Sequence, residues 1–277
     1  MIISIASGKG GTGKTVIAVN LALSLSGNTQ LLDCDVEEPN DHIFLKPKFT
    51  KSEKIFLPKP FVDFNKCDYC GRCSEVCQYN AIAVLKNKVL VFYELCHSCG
   101  ACKIACPQNA IFEKEIEKGI VEEGIAKGIL FAQGKLKEGE SSPTPLVKAV
   151  KKKAKNDYNV IIDASPGTSC PVVEAVKETD FCLLVTEPTP FGLNDLRLAV
   201  EMCRKIKVPS GVIINRADIG DKKVEEYCKE EKIPILMSIP YSKEIAYAYS
   251  EGIPIVEKFP EYKEKFQELF RKIEKIK

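Results

Sequence analysis

Residues Ser7 to Thr15 read SGKGGTGKT, set between an apolar run, Ile2–Ala6, and a stretch of helical periodicity, Lys14–Ser26. The segment from Gly8 to Thr15 fits the spacing G-x-x-x-x-G-K-T in the place that spacing requires, after a strand and at the start of a helix. Glycines let successive backbone N–H groups turn toward one anion, and the helix N-terminus adds its dipole. Gly8, Gly10, Gly11, Thr12, Gly13, Lys14 and Thr15 are therefore expected to cradle the phosphates of ATP or ADP. Lys14 would lie on the β- and γ-phosphates and Thr15 on Mg²⁺. A second lysine, Lys9, stands in the same loop without a role in that scheme.

Outward from the loop, short runs rich in Ile, Val and Leu recur at Gln30–Asp33, Val160–Asp163, Phe181–Thr186, Ser210–Ile214 and Ile235–Ser238. Continuous apolar runs of this length suit buried parallel strands. Helical patterns alternate with them, at Leu193–Lys207, Lys222–Lys232 and Ser242–Ser250. The pattern predicts an α/β P-loop fold, a mostly parallel sheet covered by helices on both faces. Asp163 ends one strand, placed to hold the Mg²⁺ shell through water. Asp33 and Asp35 end another, where a carboxylate orients an attacking water, and Asn215 stands at a strand edge suited to contacting adenine.

The alternation stops after Asp35. Cys67, Cys70, Cys73 and Cys77 follow C-x-x-C-x-x-C-x-x-x-C, and Cys96, Cys99, Cys102 and Cys106 repeat it, with Pro107 after the last. In the two-cluster pattern of bacterial ferredoxins the fourth cysteine of each motif ligates the other cluster. Cys67, Cys70, Cys73 and Cys106 are thus expected to hold one 4Fe–4S cluster, and Cys96, Cys99, Cys102 and Cys77 the other. Zinc sites use paired cysteines and leave the third at this spacing without a role. The expected division is an ATPase domain of residues 1–62 and 113–277, interrupted by a ferredoxin-like α+β domain at 63–112. Gly119–Lys137 would return to the main domain as a β-ribbon.

Composition excludes little else. With 277 residues, 45% hydrophobic, 28% charged and a net charge of +2, the chain shows no broad basic field for nucleic acid or an anionic membrane. No run approaches the roughly 20 apolar residues of a membrane span, and MIISIAS reads as a first strand, not a signal peptide. Thirteen cysteines without an export signal point to a reducing cytoplasm and metal ligation.

KGGTGKT, with DCDVEEPN and DASPG, resembles the deviant Walker A ATPases of the MinD/Mrp superfamily, to which the nitrogenase iron protein is related. The resemblance covers nearly all of the chain outside the cysteine segment. It implies an ATP-sandwich homodimer in which Lys9 reaches the partner's phosphates and Asp35 assists hydrolysis. Together with the cysteine motifs it resembles superfamily ATPases carrying an inserted ferredoxin domain. Nucleotide state would then gate electron delivery, or cluster handover, to a client protein. An iron–sulfur carrier or assembly scaffold is the alternative, and a MinD-like membrane organiser a further one.

Departures from these patterns are local. Gln78 stands where the ferredoxin pattern has proline, and Gly167 where the nitrogenase iron protein has an acid. The C-x-x-C pair of the Mrp-type carriers is missing near the C-terminus. Cys170 lies at the offset of the nitrogenase iron protein's cluster-bridging cysteine, yet reads as a buried or capping thiol. Cys34, Cys182, Cys203 and Cys228 read as core residues, His97 as a solvent-facing loop residue, and KAVKKKAKNDY as a solvated basic face. Tyr262, Phe266, Leu269, Phe270, Ile273 and Ile276 share one face of a final helix, expected to pack on the domain instead of lying on a membrane.

Overall fold

The computed structural model describes residues 1–276. Its strands are β1 (Ile2–Ala6), β2 (Thr29–Cys34), β3 (Lys48–Val62), β4 (Ile82–Leu85), β5 (Lys88–Val91), β6 (Ile111–Ala126), β7 (Ile129–Leu136), β8 (Asn159–Ala164), β9 (Phe181–Thr186), β10 (Ser210–Asn215) and β11 (Ile235–Ile239). Among the described residues nine of them form one sheet in the order β11-β10-β9-β1-β8-β2-β7-β6-β3, and β4 pairs with β5 in a separate antiparallel pair. The pairings from β11 across to β7 are parallel. The mostly parallel α/β fold expected from the apolar runs is the fold observed.

Register brings the site together. In the β2–β8 ladder Asp33 stands opposite Asp163, and in the β1–β8 ladder Asp163 stands opposite Ile5, one residue before the end of β1. Both acids therefore reach the carboxyl edge beside the glycine loop, the edge where parallel sheets bind ligands.

The chain divides into two compact units. The larger comprises Met1–Ser52, Val121–Lys135 and Thr144–Lys277. Its central strands are buried on both faces: Ile3, Ile5, Leu31, Ile161 and Leu183 are fully buried. Continuous apolar runs mark such strands because both pleat directions meet helices. The final helix, Glu261–Ile276, packs its Tyr262, Phe266, Leu269 and Ile273 into the same core as Ile17 and Leu21 of the helix Lys14–Ser24. Gln267 Nε2 donates to the Ser24 carbonyl at 2.9 Å, fixing the two helices end to side. The apolar face weighed as a membrane segment is thus covered by the protein's own core along most of its length, with Phe270 partly buried and Ile276 exposed. Among the described residues no helix is long and apolar enough to cross a membrane.

Strand β3 was not foreseen. It is exposed along most of its length and holds Pro58 and Pro60, so neither a buried run nor clean alternation signals it. β6 and β7 meet at Lys127 and Gly128, whose φ values of 49° and 84° are those of a tight type I′ turn. The basic stretch after Thr144 is only partly a solvated face. Lys151 Nζ donates to the carbonyls of Glu174 and Lys177 at 2.6 and 2.7 Å, capping the end of the helix Cys170–Val176.

The smaller unit comprises Glu53–Ile120 and Leu136–Pro143, longer than the cysteine segment itself because the ends of β3 and β6 belong to it. It is an internal repeat. Tyr69 and Ser98, Gly71 and Gly100, and Asn80 and Asn109 all take positive φ at matching places around the two cysteine motifs. Short helices, Arg72–Glu75 and Ala101–Ala105, follow the two glycines.

Candidate functional site

The loop after β1 opens onto a cavity of about 450 Å³ lined by Gly10, Gly11, Gly13, Lys14, Thr15, Asp35, Asn40 and Asn215, among others. Gly13 has a φ of 97°, and a Cβ there would stand 2.7 Å from Asn215 Nδ2, so the position admits glycine for both backbone and space. Gly8 passes so close to Asp195 that a Cβ would meet its carbonyl oxygen at 2.3 Å. Two elements far apart in the chain thereby clamp the loop. Asn215 Nδ2 donates to the Thr12 carbonyl at 2.9 Å, and its Oδ1 accepts the Arg216 N–H at 3.0 Å. Asn215 lines the cavity and also braces the loop. Beyond it, Ile239, Pro240, Tyr241, Ile245 and Tyr249 form a largely apolar wall suited to a planar base.

Lys14 is 7% exposed. Burial lowers its pKa, while the charges of Asp163 and Asp35 work the other way. Thr15 Oγ1 lies 2.7 Å from Asp163 Oδ2 and 2.9 Å from Asn40 Oδ1, one hydroxyl proton facing two acceptors. Asp163 Oδ1 and both oxygens of Asp41 are buried with no partner beyond each other, the two carboxyls abutting so that a proton held on Asp41 bonds Asp163. Burial pushes Asp163 up to about 7 and Asp41 well above the usual carboxylate range. Orphaned buried oxygens beside a threonine hydroxyl are an oxygen donor set of the kind Mg²⁺ takes, with its remaining positions left to water and phosphate.

Asp33 and Asp35 separate in role. Asp33 is fully buried and accepts the backbone N–H groups of Asp35, Asn40 and Asp41 at 3.1, 3.0 and 3.2 Å. It shapes the loop and does not face the cavity. Asp35 lines the cavity; burial raises its pKa and the Lys14 ammonium lowers it. Lys9 turns elsewhere: its Nζ lies 3.5 Å from Glu187 Oε2, and Arg216 Nη1 lies 2.8 Å from the other oxygen of that nearly buried acid. Asn40, Asp41, Glu187 and Arg216 were missed by sequence reasoning. Asn40 and Asp41 close the run DCDVEEPND that begins at the acidic strand end, which could have marked them; Glu187 and Arg216 carry no such signal.

In the smaller unit the eight motif cysteines line two voids. One is bounded by Cys67, Cys70, Cys73 and Cys106, the other by Cys77, Cys96, Cys99 and Cys102. Backbone N–H groups point at sulfur: Ala81 N–H donates to Cys77 Sγ and Ala110 N–H to Cys106 Sγ, both at 3.3 Å, and Ser98 N–H to Cys96 Sγ at 3.4 Å. Burial raises the thiol of Cys102 to about 11, so a thiolate there needs a cationic centre to stabilise it. Among the described residues no three His, Cys, Asp or Glu side chains converge as a single-ion site would. Four soft donors around each void, with N–H groups aimed at sulfur, fit an iron–sulfur cluster. His97 is exposed but not solitary, stacking on Tyr79 with ring centroids 3.8 Å apart. Cys34, Cys182, Cys203 and Cys228 are buried, whereas Cys170 is exposed and is not a buried thiol.

A glycine loop between β1 and a helix, at the carboxyl edge of a parallel sheet with a threonine and acids beside it, defines a P-loop nucleotide-binding protein. The chain belongs to the CobQ/CobB/MinD/ParA nucleotide binding domain family, which matches residues 3–255. Among relatives, "Uncharacterized protein MJ0579" of Methanocaldococcus jannaschii is 34% identical over 260 residues, covering 91% of this chain and 90% of that protein. The "Iron-sulfur cluster carrier protein" of Pyrococcus abyssi is 26% identical over 280 residues, covering 92% and 78%. Among solved structures, the septum site-determining protein MinD complexed with Mg-ADP from Pyrococcus horikoshii matches with a TM-score of 0.62 at 21% identity, over 99% of this chain and 96% of that one. At that identity the likeness speaks for the fold alone.

Proposed function

We propose that this chain is an ATP-hydrolysing iron–sulfur protein, working as a nucleotide-dependent homodimer and holding two 4Fe–4S clusters in a ferredoxin-like unit. The single observation that carries this reading is the partition of the eight motif cysteines, four and four, around two voids in a chain with a complete phosphate loop. Lys14 binds the β- and γ-phosphates, Thr15 holds Mg²⁺, and Asp163 with Asp41 steadies that ion's shell. Asp35, at the cavity wall, orients the attacking water. Lys9 points away from its own cavity and serves the partner's phosphates. The clusters supply one-electron transfer, which nucleotide state gates toward a client protein in a reducing cytoplasm.

A second reading is favoured by the relatives named iron-sulfur cluster carrier protein, at 26% identity: the clusters are cargo. Anaerobic reconstitution and chelation separate the two. Resident clusters give about eight iron and eight sulfide per chain, retained against a chelator. Release to the chelator with the fold intact, and transfer to an apo-acceptor, makes the protein a carrier. About four iron per chain, or stoichiometric zinc after anaerobic purification, removes the two-cluster reading altogether.

A further inference from the structure

The two cysteine voids differ electrostatically. Lys59 is 3% exposed, and its Nζ donates to the carbonyls of Tyr93 at 3.1 Å and of Cys96 at 2.6 Å, placing a buried ammonium against the loop that carries Cys96. Three further charges act on it: Lys118 and Glu140, which pair with each other, and the exposed Glu94, which makes no ion pair with it. Glu113, which lines this void, is paired with Lys103 at 2.9 Å. The other void has Asp68 on its wall, a carboxylate whose Oδ1 and Oδ2 accept from Cys70 N–H at 3.2 Å and Gln108 Nε2 at 3.1 Å, neither of them a cation. One site thus has a buried ammonium bonded to carbonyls and to no carboxylate, and the other an exposed carboxylate bonded to no cation.

We propose that the two sites hold electrons unequally, with the site of Cys77, Cys96, Cys99 and Cys102 the sink and that of Cys67, Cys70, Cys73 and Cys106 the donor, Lys59 being the residue that sets the bias. This rests on the two-cluster reading above. Reduction changes a 4Fe–4S core from 2+ to 1+ and so adds one negative charge inside four thiolates. A buried ammonium stabilises that added charge far more than an exposed group would, because little water screens it. In the internal step one core is oxidised from 1+ to 2+ as the other is reduced from 2+ to 1+; the thiolates keep their bonds and no proton moves. The bias is on the order of tenfold or more, and tenfold is about 59 mV for a one-electron couple.

The test is a dithionite titration of the reconstituted full-length protein, read by electron paramagnetic resonance, with iron counted in every variant. The parent should reduce in two separated steps. Lys59→Met should lower the upper step and leave the lower one in place; Lys59→Arg should keep the parent's gap. Asp68→Asn should raise the lower step, by less, because Asp68 is exposed. A mere structural brace would change iron content without moving one step alone. Should Lys59→Met shed iron, Asp68→Asn decides: an unmoved gap overturns the inference. Coincident steps in a parent with about eight iron, or a Lys59→Met shift common to both steps, also overturns it while leaving two clusters standing. Fewer than about eight iron in the parent removes the two-cluster reading, and this inference with it.

Discussion

Replacing Asn215 with alanine separates bracing from base recognition. The side chain makes two hydrogen bonds, to the Thr12 carbonyl at 2.9 Å and from the Arg216 N–H at 3.0 Å. Arg216 has a φ of 52°, unusual for a non-glycine residue, so the second bond holds a turn that would otherwise relax. Losing the first bond frees the loop that must present its N–H groups to phosphate. A net hydrogen bond contributes about 0.5–1.5 kcal/mol. If that cost falls on preorganisation of the loop, Kd rises by roughly 2- to 13-fold. Because the loop meets phosphates and not the base, ATP, ADP and GTP should weaken by the same factor in titration calorimetry. Asn215→Asp should be worse than Asn215→Ala, since it sets an anion against the Thr12 carbonyl and near the bound phosphates. The bracing account fails if GTP binding is unchanged and only the preference for ATP collapses.

Mixing Lys9→Ala with Asp35→Ala chains, each expected to bind ATP without hydrolysing it, should restore about a quarter of parental activity, because half the dimers are mixed and one site in two is then intact. No recovery, with mixed dimers shown to form, would remove the shared-site dimer. The metal-free protein should lose stability as pH rises from about 4 to about 7: Asp163, raised from 3.8 to about 7, binds a proton in the native state that the unfolded chain has released. Mg²⁺ should therefore bind more tightly toward the upper end of that window, and Asp163→Asn should flatten the dependence; stability that climbs with pH in chelator would contradict the burial of this acid. Phe266→Ala removes a fully buried ring from the final helix and should cost about 3–5 kcal/mol in denaturant unfolding, with no gain of liposome binding. A near-neutral result would mean that helix is not part of the core.

Much of the larger unit was legible along the chain. Six apolar runs became β1, β2, β8, β9, β10 and β11, within a residue or two at each end. The reason is local: a strand buried on both faces must be apolar throughout, and a phosphate loop must carry its glycines and lysine in fixed order. The smaller unit was legible as spacing, since C-x-x-C-x-x-C-x-x-x-C twice over states how many ligands there are. The same pattern leads one to expect each fourth cysteine beside the other motif's three, and the fold supplies the means. Cys106 lies beside Cys67 only because the two halves of the repeat meet across the pair β4–β5 and their short helices.

Tertiary structure alone decided the partners. Asp41 and Asp163, Lys9 and Glu187, and Lys59 and Cys96 are each separated by enough chain that no periodicity links them. Charges and orphaned oxygens owe their meaning to burial and to what stands opposite, and a sequence records neither. That is why Asp33 and Asp35, neighbours with the same side chain, divide into a loop brace and a cavity acid. One points into the sheet's interior and collects three backbone N–H groups; the other, two residues on, has left the strand and turns to the cavity.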